Sequence, residues 1–105
     1  MKLDEAQALS VAVSDIYAEA CGVERDETWY LLKLQEEVGE LAAAWLSATG
    51  RGRDRGKDDA GLRQAVEDEL ADVFAQLLLI AAREEIDLAA ALRRKWGRYL
   101  PEADI

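Results

Sequence analysis

Gln35–Trp45 reads QEEVGELAAAW, and Glu67–Leu78 reads EDELADVFAQLL. In both stretches apolar residues recur every three or four positions, the period of a helix packed on one side. Extended along the chain, the first stripe is Leu31, Leu34, Val38, Leu41, Trp45 and Ala48; the second is Val66, Leu70, Val73, Leu77 and Ile80. No strand signal of useful length interrupts them. Alanine and leucine dominate, both good helix formers, and the single proline is Pro101.

Working outward, Asp4 to Glu19 predicts a first helix with Leu9, Val13, Ile16 and Ala20 on one face and Gly22 at its exit. A polar link, Glu24 to Glu27, leads to the second helix, capped by Asp26 or Thr28 and ending near Thr49-Gly50. RGRDRGKDDAG, Arg51 to Gly61, reads as a flexible loop. Asp58 or Asp59 starts a third helix that runs to about Glu84. Asp87 caps a fourth that ends between Gly97 and Leu100. The expectation is an all-α, antiparallel four-helix bundle forming one domain over residues 1–105. Trp45 belongs to its core, Trp96 closes one end, and Phe74 and Tyr17 are core or interface.

The bulk composition narrows the function. With 105 residues, half of them hydrophobic, the chain can build a modest core that oligomerisation would help. A formal charge of -9 argues against binding a nucleic-acid backbone. There is no histidine, which removes the commonest general base and histidine-held zinc. The one cysteine, Cys21, has no internal partner for a disulfide. The chain turns acidic at Asp4-Glu5, unlike a secretory leader, and its most apolar run, FAQLLLIAA, is too short to span a bilayer. A cytoplasmic protein without a membrane or nucleic-acid partner is expected.

The two opening stretches align at an offset of roughly 32 positions, pairing Glu37 with Glu69 and Glu40 with Asp72. In each helix the two acids are three apart and share a face. Glu37 and Glu69 fall roughly 60–70° from the stripe centres, and Glu40 and Asp72 roughly 120–130°. If the helices pack antiparallel, four carboxylates approach one another. Their repulsion and desolvation are unfavourable unless protons, solvent or a cation intervene. Oxygen donors without nitrogen or sulfur suit Mg²⁺, Mn²⁺ or Ca²⁺, and no EF-hand spacing supports Ca²⁺. The competing reading is a solvated charged face, for which Lys33 and Glu37 have the right spacing.

With Glu37-Val38-Gly39-Glu40 followed by Glu69-Leu70-Ala71-Asp72, the chain resembles the MazG-type, all-α nucleoside triphosphate pyrophosphohydrolases, whose signature is ExxE and then ExxD. The wider wording KLQEEVGELAAA, and a tail with Ile86-Asp87-Leu88, Lys95 and Arg98-Tyr99, extend the resemblance over roughly Trp29 to Pro101. It implies Mg²⁺-dependent cleavage of a nucleoside triphosphate to monophosphate and pyrophosphate, with Mn²⁺ as a substitute ion. It assigns Glu37, Glu40, Glu69 and Asp72 to the metal. Glu36 and Glu37 become the catalytic acids, Glu36 fitting the double-acid form of the motif and orienting water or a second metal. It also implies a homodimer or homotetramer, which FAQLLLIAA supports independently by being apolar nearly all round.

Further contacts follow on chemical grounds. Lys33, Lys95 and Arg98 are candidates for phosphate, and Trp29 and Tyr30 for stacking on a base. Each has a plain alternative as a surface charge or packing residue. The loop's basic residues and glycines suit folding over a triphosphate, against the alternative of a solvated linker. Two other functions stay open at this level. One is phosphoribosyl-ATP pyrophosphohydrolase activity, which the tail matches less well. The other is a non-enzymatic helical binding module.

Overall fold

A computed structural model describes residues 1–101 of the chain. It contains four α-helices, α1 Leu3–Cys21, α2 Glu27–Ala48, α3 Asp59–Arg83 and α4 Leu88–Trp96, then a 3-10 turn Gly97–Tyr99, with no strand among the described residues. The boundaries follow from local chemistry. Asp26, Asp58 and Asp87 each accept a hydrogen bond from a first-turn amide, those of Trp29, Gly61 and Ala90, at 2.8, 2.8 and 3.0 Å. Each thereby satisfies one of the orphan donors at a helix start. α1 ends at Gly22, whose φ of 64° closes the helix with its N–H on Ala18 O.

α2 and α3 form an antiparallel hairpin, so that Ala44 and Ser47 face Leu62 and Ala65 across one cavity. α1 crosses α3 in the reverse direction: Leu3 and Gln7 lie by Leu78, Ala81 and Ala82, and Gln7 Nε2 donates to Leu78 O at 3.1 Å. The C-terminal half of α3 is therefore covered from two sides, as its nearly uniform apolarity requires. Leu78 is 1% exposed, and Leu79, Ala81 and Val66 are buried with it.

Four expectations are corrected. The fourth helix does not close a bundle within the chain: α4 has no buried residue, and Trp96 is 66% exposed. The inward face of α2 is also turned from the expected stripe. Tyr30 is buried, Lys33, Leu34, Glu37, Leu41 and Ala44 are half-buried, and Leu31, Val38 and Trp45 point outward. Tyr30, Glu37 and Ala44 are seven apart, so Glu37 sits mid-face, not at its edge. On α3, Glu69 and Gln76 take half-buried positions while Leu70 and Leu77, expected inside, are exposed; Phe74 and Tyr17, expected in the core or at an interface, are outside the core of the single chain. Lastly, α1 buries Ala6, Ser14 and Ala18, and Leu9, Val13, Ile16 and Ala20 are left outside. Small side chains let the α1 backbone approach α3. Ser14 is satisfied there by Arg25 Nη1 at 2.8 Å.

Candidate metal centre

One acid from α2 and two from α3 meet where the hairpin packs. Carboxylate oxygens of Glu37, Glu69 and Asp72 lie within 4.8 Å of one another, with Glu37 and Glu69 half-buried and Asp72 exposed. Glu69 and Asp72 share a face through their three-residue spacing; the inward turn of α2 brings Glu37 to them. Glu69 Oε2 is buried with no hydrogen-bond partner among the described residues. Burial first, and then the neighbouring Asp72 charge, push the carboxyls of both Glu37 and Glu69 above their ordinary range. Glu40 stands outside this trio, on the cavity between α2 and α3, yet its charge adds to both shifts.

Lys33 counters part of this charge. Its Nζ lies 2.9 Å from Glu36 Oε1 and 3.9 Å from Glu37 Oε1. The hydrogen bond to Glu36 holds the ammonium above its ordinary range. Thus the pairing expected of a solvated face is present, but it ends at a carboxylate that also belongs to the cluster. Three converging carboxylates, one with an orphaned buried oxygen, fit a hard divalent cation by donor type and charge.

The cluster lies between two concavities. On one side Glu37 and Asp72 wall a cleft of about 540 Å³ with Trp29, Tyr17, Phe74 and Lys33. On the other, Glu69 and Glu40 wall a cavity of about 100 Å³ with Arg53, Arg55 and Lys57. Of the expected base-stacking pair, Trp29 lines the cleft. Tyr30 is instead buried beneath it, edge-on to Trp29 at 5.0 Å and under the Arg83 guanidinium at 5.3 Å. Lys95 and Arg98 are not brought to the acids and do not line the cleft; Arg98 donates to Tyr99 Oη at 2.9 Å.

The sequence reading missed Gln76, whose Oε1 is buried without a partner at the cleft wall. Its position seven after Glu69 was the available signal. It also left open what the loop's basic residues do, and the structure sets them beside the acids.

Fold and site together define a class: an all-α chain whose helical hairpin gathers acids able to hold a cation. Residues 25–96 match the family model for the MazG nucleotide pyrophosphohydrolase domain, so the chain belongs to that family. Comparison with curated proteins and with solved structures gives no significant match. No helix of the described residues is long and apolar enough to cross a membrane.

Proposed function

We propose that the protein hydrolyses a nucleoside triphosphate to the monophosphate and pyrophosphate, using Mg²⁺ or Mn²⁺, and works as a homo-oligomer. The observation that carries the reading is the convergence of Glu37, Glu69 and Asp72 beside an aromatic cleft large enough for a nucleoside. These residues would hold the ion, with Glu40 next to them as a fourth acid. When bound, the ion supplies charge neutralisation for the polyphosphate and Lewis acidity.

The chain's own groups supply the rest. Trp29, Tyr17 and Phe74 offer faces and edges for a base. Water adds across the α–β anhydride; its oxygen bonds to phosphorus, the bridging P–O bond breaks, and a carboxylate takes the proton. We assign that transfer to Glu37, which lines the cleft, with Glu36 next to it in the chain; Lys33 hydrogen-bonds Glu36 at 2.9 Å and lies 3.9 Å from Glu37.

The oligomer is supported by surface the single chain leaves bare. Leu31, Val38 and Trp45 on α2, with Leu70 and Leu77 on α3, are exposed. Such apolar faces mark interaction surfaces. Lys95 and Arg98, away from this chain's acids, are then free to serve a neighbouring copy's site.

The test is pyrophosphate release from a panel of ribo-, deoxyribo- and oxidised nucleoside triphosphates plus phosphoribosyl-ATP, with Asp72→Asn run beside wild type. Turnover of a triphosphate is expected, falling by at least about 100-fold in the variant. Equal rates for the two proteins, or no turnover of any substrate, would sink the reading.

A further inference from the structure

The two concavities that flank the acids differ in chemistry, and that difference orients a substrate. The cleft by α1 is aromatic and apolar, with Trp29, Tyr17 and Phe74 in its wall. The smaller cavity carries three cationic side chains, Arg53, Arg55 and Lys57, opposite Glu40 and Glu69. Glu69 belongs both to this cavity and to the carboxylate cluster. A ligand with an aromatic group at one end and clustered anionic charge at the other would span the cluster in one direction only.

The cations are uncommitted. Arg25, Lys33, Arg63 and Arg83 each make an ion pair with a carboxylate. Among the described residues Arg53, Arg55 and Lys57 make none, although two acids line the same cavity. Their turn is nevertheless built. Asp54 Oδ1 accepts the Gly56 amide at 3.0 Å, and Asp54 O accepts the Lys57 amide at 3.0 Å. Arg55 sits at φ 54°, a left-handed conformation that costs an L residue about 1 kcal/mol and costs glycine nothing.

Resting on the pyrophosphohydrolase reading above, we infer that Arg53, Arg55 and Lys57 form the pyrophosphate side of the site: the base lies in the aromatic cleft and the β- and γ-phosphates face the 53–57 turn. Arginine matches phosphate oxygens in bidentate geometry, and negative charge grows on the departing pyrophosphate as the anhydride breaks. An acidic protein repels a polyphosphate at long range, so attraction must come from cations held close to it. The turn's backbone is held by its two hydrogen bonds, so that on binding it is the exposed side chains that become ordered.

Calorimetry tests the assignment without turnover. The titrants are inorganic pyrophosphate with Mg²⁺ and, separately, Mn²⁺ alone. The proteins are full-length wild type, the triple variant Arg53→Gln/Arg55→Gln/Lys57→Gln, the single variant Arg55→Gly, and Arg63→Gln as a control for general charge. The triple variant should lose at least about tenfold in pyrophosphate affinity and keep its Mn²⁺ affinity. Arg55→Gly should melt higher than wild type, its strain relieved, yet bind pyrophosphate more weakly. Arg63→Gln should behave as wild type. Unchanged pyrophosphate affinity in the triple variant overturns the inference. So does a parallel loss of Mn²⁺ affinity, which would place the effect in the metal site, and so does a wild type that binds no pyrophosphate. A wild type that binds pyrophosphate through the turn but cleaves no triphosphate defeats the proposed reaction alone.

Discussion

Glu69 shows what a single side chain contributes. Its Oε2 is buried without a partner, and burial holds the carboxyl above its ordinary range. The folded state therefore binds this proton more tightly than the unfolded chain. Stability from such a group is present at low pH and is lost as pH rises from about 4.5, the ordinary value, through the raised folded one. In chelator, Glu69→Gln should be more stable than wild type at neutral pH, the gain shrinking as pH falls towards 4.5. Adding Mg²⁺ should raise the melting temperature of wild type and scarcely that of the variant. Melting curves across pH with and without Mg²⁺ read both effects; a variant less stable than wild type in chelator at neutral pH would refute the account. Gln76 carries a related cost, since a buried acceptor left unpaired loses about 1–3 kcal/mol. Gln76→Met should stabilise by about 1 kcal/mol in urea unfolding. No gain would mean that solvent or a partner satisfies the amide. At this scale the acids were legible as types and spacings, but their degree of burial was not, because burial depends on which way each helix is turned.

Elements were legible to within a few residues, and their caps explain why. Asp26, Asp58 and Asp87 announce helix starts by a chemistry confined to one turn, as Gly22 announces an end. Rotation about the helix axis was not legible. α2 carries two apolar stripes, one through Leu34 and Leu41 and another through Leu31, Val38 and Trp45. Periodicity gives their spacing but not which one meets α3. The observed choice turns Glu37 inward, a cost that makes sense once Glu69 and Asp72 lie opposite. The end of α3 offers a test of local logic. Ile86 N–H reaches Ala81 O at 2.8 Å, and Glu85 takes φ 55° to allow it. A glycine adopts this conformation without strain, so Glu85→Gly should stabilise the protein by up to about 1 kcal/mol in urea unfolding. A loss of stability would show that the Glu85 side chain does more than occupy a turn.

At the scale of the molecule the chain is open, which bears on the proposed oligomer. Its radius of gyration is 16.5 Å, against about 13 Å for a compact domain of about 100 residues. α4 stands off the three long helices, and the outer stripe of α2 is bare, with Trp45 56% exposed. The four-helix expectation missed this because helix count and amphipathicity do not say whether a face is covered by its own chain or by another. Both readings bury the same residues. A second copy would cover Leu31, Val38 and Trp45 and the outer face of α3 and would give α4 something to pack on. Sedimentation at micromolar concentration should therefore show a dimer or tetramer. Trp45→Glu combined with Leu70→Glu, which puts charge on both outer faces while sparing the acids, should shift it to smaller species. Assembly and activity should fall together if Lys95 and Arg98 act on a neighbour's site. A wild type that sediments as a monomer would remove the oligomer and, with it, the role given to those two cations. The melting temperature supplies the independent check, since that of an assembling protein rises with its concentration and that of a monomer does not.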